Sequence, residues 1–140
     1  MNEGIGQNEL DRLFTAALEA AVARLEKDGH FFPLMFELRR DGTIQAVAML
    51  ETGEVEGDAI SRMFDVLRQR ADEDLIRAAA IASHVTDAAR VEVRLRAPNY
   101  ASDIAVPFAM ETTGFFRRRR KLALGEFELR DVVNEVFPST

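Results

Sequence analysis

Between residues 8 and 28, Leu10, Leu13, Phe14, Ala17, Leu18, Ala21, Val22 and Leu25 recur at three- and four-residue intervals, which gathers them on one stripe of a helix. Asn8 is the expected N-cap, Asp11 suits the positive end of the helix dipole, and Gly29 supplies the left-handed residue that stops a helix. Two apolar runs, 31–39 and 43–51, flank Arg40-Asp41-Gly42, and an Asp-Gly pair in that position predicts an antiparallel hairpin. Alternation puts Phe32, Leu34, Phe36 and Leu38 on one face of the first run, with Phe31 and Met35 on the other. After a polar break at 52–57, Asp58 can cap a second helix in which Ile60, Met63, Phe64, Leu67 and Ala71 share a stripe, ending near Asp72.

Residues 75–124 read as a meander. In 75–85, Ile76, Ala78, Ala80 and Ala82 fall on one face and Arg77, Ala79, Ile81 and Val85 on the other. Residues 86–90 turn the chain, and 91–97 alternate apolar with charged positions throughout. A polar connection is expected over 98–103. Ile104, Val106, Phe108 and Met110 then mark a buried strand face, within which Pro107 signals an edge, a bulge or an interrupted ladder. Gly114 turns the chain into a last run, 115–124, and 126–137 reads equally as a short helix or a strand. The pattern predicts an α+β fold: an antiparallel sheet of five or six strands, hairpin plus meander, packed by two main helices in the order α-β-β-α-β-β-β-β, with a short C-terminal helix as an option. One domain over 1–140 is expected, with 1–7 flexible.

Composition narrows the function classes. Cysteine is absent, which removes disulfides, thiolate metal sites and cysteine nucleophiles and suits a reducing compartment, so cytoplasm is the expectation. The first residues lack the basic start and apolar core of a signal peptide, and no apolar run approaches the roughly 20 residues that cross a bilayer. A net charge of −6 repels nucleic acid and anionic membrane. The phosphate-loop, dinucleotide and nucleophile-elbow motifs do not occur, and no cofactor is implied.

Four features remain as candidate chemistry, each with a plainer reading. His30 follows the helix-ending Gly29, where a cation favours the helix C-terminus. His84 sits three residues before Asp87 and, with Arg77 or Glu92, could serve a ligand pocket; the plainer reading is a strand-end histidine bonded to a turn. Two isolated histidines without zinc-binding spacing imply no metal site. Glu37, Glu51, Glu92 and Glu111 could converge on one sheet face with Arg39, Arg77, Arg94 and Arg96, as a charged-ligand patch or as a solvated face of cross-strand ion pairs. In 115–121 two phenylalanines precede five consecutive cations. A strand would send Arg117, Arg119 and Lys121 to one face, as a nucleic-acid contact or as protection of an edge against pairing.

The run from Phe32-Pro33 to Asp41-Gly42, the Ile-Arg-Ala-Ala-Ala-Ile stretch from Ile76 to Ile81, Pro107-Phe108 and the closing Val136-Phe137 carry a resemblance. The chain resembles small uncharacterised bacterial α+β proteins, a family defined by a domain of unknown function. The likeness implies a fold and supplies no catalytic residues. The reading that follows is a non-catalytic soluble protein acting through protein contacts as a homodimer. Its interface is expected at Phe31, Met35, Val47 and Met49, because two helices do not easily cover both faces of such a sheet. A small-molecule pocket at His84, Arg77 and Glu92 and a nucleic-acid contact at Arg117, Arg119 and Lys121 are the alternatives.

Overall fold

The computed structural model describes residues 6–47, 56–85, 88–113 and 119–138. Helix α1 (Gln7–Asp28) is followed by β1 (Leu34–Arg39), β2 (Ile44–Val47), α2 (Glu56–Asp72), β3 (Ile76–Val85), β4 (Arg90–Ala97), β5 (Tyr100–Thr113), β6 (Arg119–Leu124) and β7 (Glu128–Asp131). The sheet is antiparallel, in the order β2-β1-β3-β4-β5-β6, with β7 also on β5. This is the expected α+β architecture, with seven strands where five or six were expected, because the tail adds β7.

The local signals act as their chemistry dictates. Gly29 adopts φ 82° and its N–H donates to the Leu25 carbonyl at 2.8 Å. Glu9 Oε1 accepts the Gly6 N–H at 3.4 Å, and the cap is Gly6, ahead of the expected Asn8, which lies inside the helix. In the hairpin, Gly42 takes φ 90°, its N–H donates to Arg39 O, and Arg39 N–H donates to Thr43 O. Asp41 Oδ1 accepts from Thr43 Oγ1 at 2.7 Å and from Thr43 N–H at 3.0 Å, and these bonds to the charged form lower its pKa. The turn therefore gains from ionised Asp41 above the ordinary aspartate pKa, and the gain is lost as pH falls through the lowered one.

Strands β6 and β7 run end to end along β5. Leu124 faces Phe108 and Glu128 faces Ala105, so residues 125–127 stand opposite only Val106 and Pro107, a bulge. Pro107 explains it: its carbonyl accepts the Gly125 N–H at 2.7 Å, but it has no N–H to return. A Cβ on Gly125 would lie 3.0 Å from Pro107 Cγ and 3.4 Å from its carbonyl oxygen. Gly125→Ala is expected to cost about 1–3 kcal/mol in urea unfolding, as overpacking does; an unchanged midpoint would show that the bulge yields.

The sheet is covered on both faces. On one, α1 lays Leu10, Leu13, Ala17, Leu18, Ala21 and Leu25 over Phe36, Leu38, Ala78, Ala80, Ala82, Val91, Val93, Leu95, Ile104 and Val106. On the other, α2 sets Met63 and Leu67 against Met35, Ala79 and Ile81, joined by Val136 from the C-terminal segment.

Several expectations are corrected. Residue Ile76 packs on the α2 side, because the ladder slips between Leu38 and Arg39 and a bulge changes the parity of β3 at its start. Phe31 lies under α1 with Phe36, and Phe32 is exposed, because the strand begins only after Pro33. The polar connection expected at 98–103 is a tight turn at Pro98-Asn99, with Asn99 at φ 63° and Tyr100 already in β5. Helix α2 includes Glu56 and Gly57, so Asp58 lies inside it and is not its cap. The optional C-terminal helix is absent, since residues 128–131 form β7.

Candidate functional site

Beyond the core of α2, its face of the sheet is polar. Glu37 projects there from β1 with 0% of its side chain exposed. Arg70 of α2 grips it with Nε 2.6 Å from Oε2 and Nη2 2.8 Å from Oε1, and Arg39 Nε donates to Oε1 at 3.1 Å. The fork matches the carboxylate geometry, and the Glu37 hydrogen bond raises the Arg70 pKa. Two strands further, on β4, Arg94 donates to Ser83 Oγ of β3 at 2.7 Å and to Glu92 at 3.0 Å, with Arg90 3.7 Å from the same carboxylate.

Arg96, 2% exposed, forms the second centre. Its Nε donates to Glu135 Oε1 at 2.6 Å, and Nη1 donates to the carbonyls of Leu95 and Ser102 at 3.0 and 3.2 Å. Asp103 Oδ1 lies 2.9 Å from that Nη1 yet has no hydrogen bond, because both Nη1 hydrogens are committed to carbonyls. The contact is one of charge alone. The guanidinium carbon sits 5.0 Å from the Phe64 ring centroid, so α2 covers it with an aromatic face. Asn134 completes the clasp: its Nδ2 donates to Ala97 O and Tyr100 O, and its Oδ1 accepts from the N–H groups of Val136 and Phe137. The C-terminal segment is thereby tied to the sheet.

The residues named for a ligand pocket do not meet. His84 is buried on the α1 face, its ring 5.8 Å from both Phe31 and Phe108. Glu92 projects from the opposite face with Ser83, and Arg77, at the far end of β3, ion-pairs with Glu9 of α1 at 2.6 Å. Arg77 does line a depression of about 430 Å³ with Arg40, Asp74, Ile76 and Phe137, where Arg40 stands 3.5 Å from Asp74. His30 is exposed, edge-on to Phe32. The carboxylate patch is half assembled: Glu37 with Arg39 and Glu92 with Arg94 pair on the α2 face, Arg96 shares that face but engages Asp103 and Glu135, and Glu51 lies outside the described residues. In the basic run, Arg117 lies outside them too, Arg119 opens β6 opposite Thr113, and Lys121 stands opposite Glu111, which adds a carboxylate to its face. Of the expected interface, Phe31 and Met35 belong to the two cores, Val47 is packed against the α2 core, and Met49 lies outside the described residues.

The surplus apolar surface is elsewhere. Met110 on β5 and Leu124, Phe127 and Leu129 along the adjoining outer strand are exposed on the α1 side, where the helix core takes in Leu122 and Phe14 meets the Phe127 ring at 5.6 Å. Leu129 is 64% exposed. Among the described residues nothing pairs with β7 on its outer edge. In the sequence the alternation Glu128-Leu129-Arg130-Asp131 signals this strand, and it is too short to decide between the strand and helix readings of the tail.

Among the described residues no helix is long and apolar enough to cross a membrane. Compared with family models, curated proteins and solved structures, the chain matches none.

Proposed function

We propose that the chain is a cytoplasmic, non-catalytic protein that acts through protein contacts, and that its first partner is a second copy of itself. One observation carries this reading: a row of exposed apolar side chains, Met110, Leu124, Phe127 and Leu129, beside a strand whose outer edge is open. Exposing such a row to water is unfavourable, and covering it lowers the free energy by about 25 cal/mol per Å² of apolar area. The ion pairs of Glu37, Glu92 and Arg96 on the α2 face support the same reading, since each of these charges is already engaged by an opposite one.

Light scattering over about a hundredfold concentration range should show mass rising from monomer to dimer with a midpoint in the micromolar range, as expected for a contact smaller than the standard interface. Leu129→Lys should hold the protein at monomer mass while leaving the melting temperature within about 2 °C, since the residue is exposed. A monomer throughout the range would overturn the reading.

A further inference from the structure

The ladder at the outer edge fixes more than the presence of an interface. Val132 N–H donates to Ala101 O at 3.3 Å, which turns the backbone groups of the even-numbered residues 128, 130 and 132 toward β5. The Ser102 hydroxyl donating to Arg130 O at 3.3 Å agrees with that parity. The N–H and C=O of Leu129 therefore point away from the sheet. Side chains alternate in step: Leu129 stands opposite Ile104 on the α1 side, while Glu128 and Arg130, opposite Ala105 and Asp103, stand on the other. At the centre of the open edge lies one exposed leucine with free backbone groups, flanked by an acid and a base.

We propose that β7 pairs antiparallel with β7 of a second copy about a two-fold axis through Leu129, an inference that rests on the self-association reading above. In this register Leu129 meets Leu129 of the second copy, and the two exchange both N–H···O=C bonds. Glu128 meets Arg130 of the second copy, and Arg130 meets its Glu128, so the charges are complementary in both halves. Phe127, on the Leu129 face and 42% exposed, lies diagonal to the second leucine. The axis is perpendicular to the sheet, so the two α1 helices lie on the same side of one continuous sheet.

The rest of the outer strand argues for this segment. On β6 the Leu122 N–H is occupied by Glu26 Oε2 at 3.0 Å, and the bulge at 125–127 breaks the line of the edge; both are devices that discourage strand pairing. Among the described residues β7 has neither. A second copy suits it better than an unrelated strand, because the sequence Glu-Leu-Arg complements itself when reversed.

The test is a charge exchange read by light scattering. Glu128→Arg alone opposes two like pairs, as does Arg130→Glu alone, and each should weaken dimerisation at least tenfold. An equimolar mixture of the two variants restores attraction in both pairs and should return dimer at the parent concentration. Amide exchange at Leu129 in the parent should slow as concentration rises, and the melting temperature of each variant shows that it folds. A parent dimer whose variants stay dimeric, or whose mixture fails to recover, overturns the register and leaves self-association standing. A parent that is monomeric throughout overturns both.

Discussion

Arg96→Ala is expected to cost about 3–5 kcal/mol of unfolding free energy, the range seen when one partner of a buried charge cluster is removed. At about 3–4 °C per kcal/mol for a chain of this length, the melting temperature should fall by about 10–20 °C. The guanidinium is 2% exposed and serves two carboxylates, two carbonyls and an aromatic face. Without it, among the described residues Asp103 keeps Arg130, at 3.5 Å, and Glu135 keeps no cation. Arg96→Lys should recover little, because one ammonium cannot span positions that a planar fork reaches at once. Glu135→Ala gives the contrast: its side chain is 40% exposed, and removing it should cost about 1 kcal/mol or somewhat more, since Arg96 keeps its other partners. Urea unfolding of the three variants decides the point. Equal losses for Arg96→Ala and Glu135→Ala would mean that the arginine is not the hub of the clasp. Proteolysis should also cut within 132–138 far sooner in Arg96→Ala than in the parent, because Glu135 then loses its anchor.

Arg70→Met should be the next most damaging change, at about 3–4 kcal/mol, because it leaves Glu37 buried with Arg39 as its one cation. The loss should vanish, within about 1 kcal/mol, when Glu37→Met accompanies it, since an apolar pair of similar volume between β1 and α2 needs no hydrogen bonds. Arg70 has a raised pKa, so its contribution is fully present at all pH values below the unfolded arginine range and is lost only in strong alkali; the comparison can be made at neutral pH. A double variant no better than Arg70→Met would show that the loss lies in packing of the arginine stem.

Both helices were legible because a 3.6-residue period names its own buried face: every apolar position of the two predicted stripes packs in one core or the other. The hairpin was legible because Asp-Gly is a turn with a backbone reason. What alternation could not supply was parity across irregularities. One slip at the start of β3 moved Ile76 to the other face, and Pro33 did the same for Phe31. Nor does alternation distinguish a solvated charge from a covered one. Arg94 and Arg96 occupy equivalent places in the pattern, but only Arg96 is sealed, by Phe64 and the C-terminal segment, and those contacts span long stretches of chain. Two of the four expected interface residues are buried for a related reason: α2 and the tail cover Met35, and α1 covers Phe31, while exposed apolar side chains line the outer strand.

The middle of the sheet carries a separate implication. On β3, Ala78, Ala80 and Ala82 face α1 and Ala79 faces α2, all with no exposed surface or almost none. Methyl groups at these places let the helices settle close to the backbone, and they leave no slack. Tolerance of change should therefore be graded across the sheet: nearly one-directional at β3, where any larger residue must lift a helix, and generous toward the rims. A random library would be expected to return β3 almost unaltered and the outer strands rewritten, so the centre of the molecule acts as its gauge block, the fixed thickness from which every other spacing is set.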